Sequence, residues 1–146
     1  VDYANRFPHE LSGGQRQRVW IAMALAQQTD LLLLDEPTTF LDLAYQIDVL
    51  ELLVRLNESR GTTIVMVLHD INLAARYCDW LAAMRDGTVR ARGGPREVVD
   101  VETVREVFDL ETVVIDDPVS GAPLVVPRGR AGRSAGERTA AREVPA

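Results

Sequence analysis

Leu31-Leu32-Leu33-Leu34-Asp35-Glu36-Pro37, continued by Thr38-Thr39-Phe40-Leu41-Asp42, is the stretch on which the fold turns. The four leucines are long enough for a buried strand, and Pro37 ends any further ladder pairing. Asp35 and Glu36 therefore emerge together at the carboxyl end of that strand. Taken alone, Asp-Glu-Pro is also what a polar strand end and a turn look like. Its neighbours on either side raise the case for chemistry.

Downstream, Leu43 to Ser59 has the clearest amphipathic pattern of the chain. Leu43, Ile47, Leu50 and Val54 recur at helical steps, with Leu53 and Leu56 widening the stripe toward a core. Asp42 stands where an N-cap would, and Arg60-Gly61 closes the helix. Thr63-Ile64-Val65-Met66-Val67-Leu68 then reads as a second apolar strand, ending in His69 and Asp70. Strand, helix, strand with both strands apolar throughout predicts an α/β fold whose parallel sheet is covered on both faces. Ligands of such sheets lie beyond the carboxyl ends of the strands, so Asp35, Glu36 and His69 are expected along one edge of one crevice.

Upstream, Leu11-Ser12-Gly13-Gly14-Gln15-Arg16-Gln17-Arg18 runs straight into Val19-Trp20-Ile21-Ala22-Met23-Ala24-Leu25-Ala26. A helix is expected from Gly14 to Gln28, with Val19, Met23 and Ala26 on one face beside Ala22 and Leu25, and with Trp20 in the core. Its first turn, with Ser12 and two glycines, offers unpaired N–H groups, the positive end of the dipole and room for close approach, which together suit a phosphate. Ser12 as a plain helix cap remains the alternative.

The remaining elements are smaller. Phe7-Pro8-His9 reads as a connector and Ile71 to Cys78 as a short helix. Trp80 to Met84 and Thr88 to Arg92 form a hairpin about Asp86-Gly87. Arg96 to Phe108 is helical in two pieces broken near Asp100, and Thr112 to Ile115 and Leu124 to Val126 are short strands. Residues 128–146 are Arg, Gly, Ala and Ser with little apolar bulk, and are expected to be a disordered tail. No internal repeat is present.

A chain of 146 residues, 47% hydrophobic and 26% charged, suits one domain with a real core. The net charge of −6 is uneven: residues 1–127 hold 11 Arg against 20 acids, a balance of −9, and residues 128–146 hold 5 Arg against 2, a balance of +3. The acidic body argues against nucleic acid as a partner. There is no Lys at all, so a GxxxxGK[ST] phosphate loop, whose Lys reaches the β/γ-phosphates, is not in this chain. The single Cys78 excludes an internal disulfide and reads as a small buried side chain on a helix. No signal peptide and no membrane-length apolar run is found, which points to the cytosol.

Four of these segments stand in a known order. Leu11-Ser12-Gly13-Gly14-Gln15, the Leu31-to-Glu36 strand, Phe40-Leu41-Asp42 and His69 resemble the signature motif, Walker B strand, D-loop and switch histidine of an ATP-binding cassette (ABC) ATPase. The resemblance implies a P-loop NTPase-like (RecA-like) parallel sheet with flanking helices, residues 1–127 being the C-terminal half of the nucleotide-binding domain. It implies that Asp35 holds Mg²⁺, Glu36 polarises the attacking water as general base, and His69 contacts the γ-phosphate. Leu11, Ser12, Gly13, Gly14 and Gln15 would read ATP held by a second subunit, and Asp42 would reach across that homodimer. The cofactors implied are ATP and Mg²⁺.

A finer resemblance covers nearly all of residues 5–128. Gln15 to Gln27, Asp35 to Asp42, His69-Asp70-Ile71-Asn72-Leu73-Ala74-Ala75-Arg76-Tyr77 and Pro118-Val119-Ser120-Gly121-Ala122-Pro123 are similar to ATPases of ferric-siderophore importers, with cobalamin and haem importers sharing much of the pattern. Such an ATPase works peripherally at the cytoplasmic face of the membrane, with membrane permease subunits and, indirectly, a substrate-binding protein. The phosphate loop, the adenine-stacking aromatic and the Q-loop of the family would precede Val1. The expectation is therefore an importer ATPase half that is inactive in isolation. The alternative is a non-catalytic fragment pairing in trans with a full-length ATPase. A soluble cassette protein acting on DNA or ribosomes is disfavoured by the acidic body.

Overall fold

The computed structural model describes residues 6–128, which divide into two compact units, one ending at His69 and the next beginning at Asp70. Apart from Arg128, the tail expected over residues 128–146 lies outside the described residues.

The first unit has four main elements: helix α1 (Gly13–Ala26), strand β1 (Leu31–Asp35), helix α2 (Leu43–Arg60) and strand β2 (Thr63–Val67). A short 3-10 turn, Pro8–Glu10, precedes them, where the sequence suggests only a connector. β1 and β2 pair in parallel, as the strand-helix-strand pattern predicts, with Leu32 beside Ile64, Leu34 beside Met66 and Asp35 beside Val67. Helix α2 is bounded by its sequence signals: Asp42 accepts from Tyr45 N–H at the start, and Gly61 ends it at φ 67°, a left-handed value that suits glycine.

The core of this unit is Ile21, Leu32, Leu41, Val49 and Leu53, with Leu34, Leu56, Ile64 and Met66 packed around it. Both helices therefore contribute to the core under the face that carries Leu32, Leu34, Ile64 and Met66. The opposite face is open: Leu31 is 51% exposed, Leu33 67%, Val65 54% and Val67 51%. This departs from the expected sheet covered on both faces, because the helices of this unit pack on one face only.

Two helix faces also differ from expectation. In α1 the buried residue is Ile21, while Met23 and Trp20 are exposed, so Trp20 is not a core residue. In α2 the buried set is Val49, Leu50 and Leu53, and Leu43 at the first turn is exposed.

The second unit begins with helix α3 (Ile71–Tyr77), capped by Asp70, whose carboxylate accepts from Asn72 and Leu73 N–H. A hairpin follows, β3 (Leu81–Arg85) and β4 (Thr88–Gly93), around Asp86 and Gly87 with both φ values positive, as a two-residue primed turn requires. Helices α4 (Pro95–Val98) and α5 (Val101–Phe108) are separated at Asp100, the N-cap of α5. The strands β5 (Thr112–Asp116) and β6 (Pro123–Pro127) form a second antiparallel hairpin. Ala75, Val99, Val104 and Val125 make its core. Asn72 joins α3 to β6 like a strand partner: its Nδ2 donates to Val125 O at 3.2 Å and its Oδ1 accepts from Val125 N at 2.7 Å.

Candidate functional site

The strand-end acids and the histidine are placed by the parallel pairing. Asp35 is the last residue of β1 and is exposed; Glu36 opens the turn that follows; His69 stands two residues beyond the end of β2. His69 Nε2 lies 2.6 Å from Glu36 Oε1, a hydrogen bond with a neutral imidazole and an ion pair with a protonated one. On its other oxygen, Oε2, Glu36 accepts from the Thr39 hydroxyl at 2.9 Å. These two donors, His69 first and Thr39 second, hold the Glu36 carboxyl below its ordinary pKa.

The turn from Glu36 to Leu41 is tight and partly left-handed. Glu36 has φ 48° and Phe40 φ 64°, conformations that side-chain-bearing residues adopt sparingly. Thr39 N–H donates to Glu36 O at 3.2 Å and Leu41 N–H to Thr38 O at 3.3 Å. A third support was not foreseen from the sequence: Gln17, in α1, donates from Nε2 to Glu36 O at 3.4 Å and Pro37 O at 3.2 Å. A glutamine between two arginines looks solvated in sequence, and nothing in the local pattern marks it as reaching a turn 20 residues on. Thr39 was equally silent.

Ser12 and its glycines head α1 as expected. The Ser12 hydroxyl accepts from Gln15 N at 3.3 Å, and the Gln15 Oε1 accepts from Ser12 N at 3.1 Å, a reciprocal capping box. The capping bond uses a lone pair and leaves the Ser12 O–H as a donor, so capping and anion binding are compatible. Gly14 allows a close approach: a Cβ there would sit a tight 3.3 Å from Phe40 O and 3.4 Å from Leu41 Cδ2. Leu11, just before this turn, is buried. The Ser12-Gly13-Gly14 turn and the Phe40-Leu41 turn thus pack on each other. Asp42 caps α2 through one oxygen, at 3.1 Å from Tyr45 N.

Among the described residues no group of three His, Cys, Asp or Glu side chains is gathered as a metal cage. A single exposed carboxylate still suits Mg²⁺, which takes one or two protein carboxylates and completes its shell with phosphate and water. Asp35 is such a group. Cys78 is partly buried, and burial, with Asp79 nearby, pushes its thiol up to about 11.

Comparison with known proteins fits this geometry. A family model described as ABC transporter matches residues 1–39, which hold both the Ser12-Gly13-Gly14 turn and the acidic strand end. The chain is 56% identical over 133 residues to the petrobactin import ATP-binding protein of Bacillus anthracis, covering 91% of this chain and 49% of that protein. It is 56% identical over 124 residues to the ferric enterobactin transport ATP-binding protein of Escherichia coli (strain K12), covering 85% and 46%. Among solved structures, an inward-facing metal-chelate type ABC transporter matches with a TM-score of 0.74 at 34% identity, over 85% of this chain and 50% of that one. A dimeric ATP-binding cassette in a post-hydrolysis state with ADP and Pi matches with a TM-score of 0.61 at 43% identity, over 64% and 40%. The chain spans about half the length of the curated relatives it matches. Identity at this level over most of the chain, on a shared fold, relates this chain to the ABC transporter ATP-binding proteins, of which it matches about half.

Proposed function

We propose that this chain is the signature-to-switch half of an ATP-hydrolysing subunit that drives import of a ferric siderophore. The observation that carries the reading is the 2.6 Å contact between Glu36 and His69 across the ends of two parallel strands, with Glu36 in a left-handed conformation. A conformation of that kind persists where surrounding contacts hold it, and here Thr39 and His69 hold the Glu36 carboxylate at the strand end. The cargo class rests on relatives whose names specify petrobactin and ferric enterobactin.

In this reading Glu36 orients and polarises the attacking water. Its lowered pKa keeps it ionised at neutral pH but makes it a weaker base, so positioning outweighs early proton removal, as expected for phosphoryl transfer. His69 holds one Glu36 oxygen and faces the γ-phosphate. Asp35 would hold Mg²⁺, which supplies charge neutralisation on the phosphates when bound. Leu11 to Gln15 present Ser12 O–H and the first N–H groups of α1 to ATP bound by a second copy, and Asp42 lies at the same dimer face.

The partners are accordingly a second ATPase subunit and membrane permease subunits, with a substrate-binding protein acting through them, at the cytoplasmic face of the membrane. Among the described residues no helix is long and apolar enough to cross a membrane. The acidic balance of residues 1–127 disfavours nucleic acid.

A second reading concerns residues 1–146 taken alone, which hold no Lys and so no phosphate loop. The 146-residue chain by itself would then be a non-catalytic partner that pairs in trans with a full-length ATPase. The two readings separate by measurement. Purified chain is expected to bind ATP weakly and to show no turnover; turnover that disappears in Glu36→Gln would refute the second reading. Coding sequence upstream of Val1 is expected to specify GxxxxGK[ST], and its absence from every frame would defeat the first.

A further inference from the structure

We infer that Gln17 is a positioning residue that ties the aim of Glu36 to helix α1, and so to the Ser12-Gly13-Gly14 turn at that helix's head. The inference rests on the ATPase reading of Glu36 for its catalytic part.

The geometry is specific. Both atoms facing the Gln17 carboxamide are main-chain carbonyl oxygens, Glu36 O at 3.4 Å and Pro37 O at 3.2 Å, so only its N–H₂ end can face them. Glu36 O also accepts from Thr39 N–H at 3.2 Å, and Thr39 in turn holds the Glu36 carboxylate at 2.9 Å. Pro37 is among the most deeply buried side chains, so the turn has little freedom on that side. Gln17 therefore fixes the Glu36–Pro37 peptide that follows the left-handed Glu36 at φ 48°, while Thr39 and His69 fix its carboxylate.

The consequence follows from where α1 begins. The turn that would meet one nucleotide heads the helix that holds the acid acting on another. Gly14 reinforces the link, because its backbone lies against Phe40 and Leu41 in the same turn. A small displacement of α1 on docking to a partner's phosphates would be carried by Gln17 to Glu36, and a misplacement of about 1 Å at a reacting group can cost on the order of 100-fold in rate.

The test compares Gln17→Met, of similar length without a donor, with Gln17→Lys, which restores a donor. In the 146-residue chain, NMR-detected amide exchange at Thr39 is expected to be about tenfold faster in Gln17→Met and close to the unsubstituted value in Gln17→Lys, with circular dichroism unchanged. In a complete cassette, where a phosphate-binding half accompanies this chain, kcat is expected to fall about tenfold in Gln17→Met with KM for ATP within about twofold, and to recover in Gln17→Lys. Unaltered Thr39 exchange in a folded Gln17→Met chain would overturn the inference, whatever the hydrolysis results. Faster exchange with unaltered kcat would overturn its catalytic part. An unsubstituted complete cassette that hydrolyses no ATP would defeat the ATPase reading, and Thr39 exchange would still decide whether Gln17 holds the turn.

Discussion

A glutamate at φ 48° is held against a cost of about 1–3 kcal/mol, and its side-chain partners determine how it titrates. His69→Ala removes the larger of the two contacts, so the Glu36 carboxyl is expected to move up toward its ordinary value of 4.5, measured by carbon-detected NMR titration. The sign for stability is set by the depressed folded pKa: the contribution is present above pH 4.5 and is lost as pH falls through the folded value. His69→Ala should therefore flatten the acid limb of the stability profile. Asp117 behaves alike in the second unit, its carboxyl lowered first by the Ser120 hydroxyl, so Ser120→Ala should raise it toward 3.8. Cys78 shows the opposite case. With its thiol raised from 9.0 to about 11, the thiolate fraction near pH 8 is about a hundredfold below that of a free cysteine, and alkylation by iodoacetamide should be slower by a similar factor. Its contribution to stability is present below pH 9.0 and is lost as pH rises toward 11.

At the scale of elements, the contacts that hold each helix differ in kind. Leu50 is fully buried in α2, so Leu50→Ala is expected to cost about 2–5 kcal/mol, read as a lowered urea midpoint. Asn72 fastens α3 to β6 through two hydrogen bonds to Val125, and Asn72→Ala should cost about 1–3 kcal/mol with an unaltered m-value. The extents of these elements were legible because punctuation is local: Asp42 and Gly61 bound α2, Asp86-Gly87 makes the hairpin, and Asp100 splits α4 from α5. Which face each helix buries was less legible. Residues 19–26 of α1 are apolar almost all round, so periodicity is mute, and Ile21 is selected by Leu32 and Leu41, which the sequence does not place beside it. The same reasoning covers the site. Asp35, Glu36 and His69 were visible as strand ends, whereas Gln17 and Thr39 act through a turn whose left-handed residues carry no glycine to announce them.

For the whole molecule, the open face of the β1–β2 sheet governs behaviour in solution. Leu31, Leu33, Val65 and Val67 stand exposed in adjacent positions of parallel strands, a surface that soluble proteins rarely leave bare. The purified 146-residue chain is expected to self-associate with concentration in sedimentation velocity, and Leu33→Lys with Val65→Lys should return it toward monomer. Apolar runs show that a strand is buried somewhere, but not whether the same chain supplies both covers. The parallel pairing also sets an order in time. β3 meets β4 across Asp86-Gly87, a closure on the order of 1–10 μs, whereas β1 finds β2 only after residues 36–62 have been gathered into α2 and its flanking turns. A nascent chain leaving the ribosome would therefore carry β1 unpaired until β2 emerges, and in refolding of the whole chain from denaturant pulse-labelling should find the β3–β4 amides protected before those of β1 and β2.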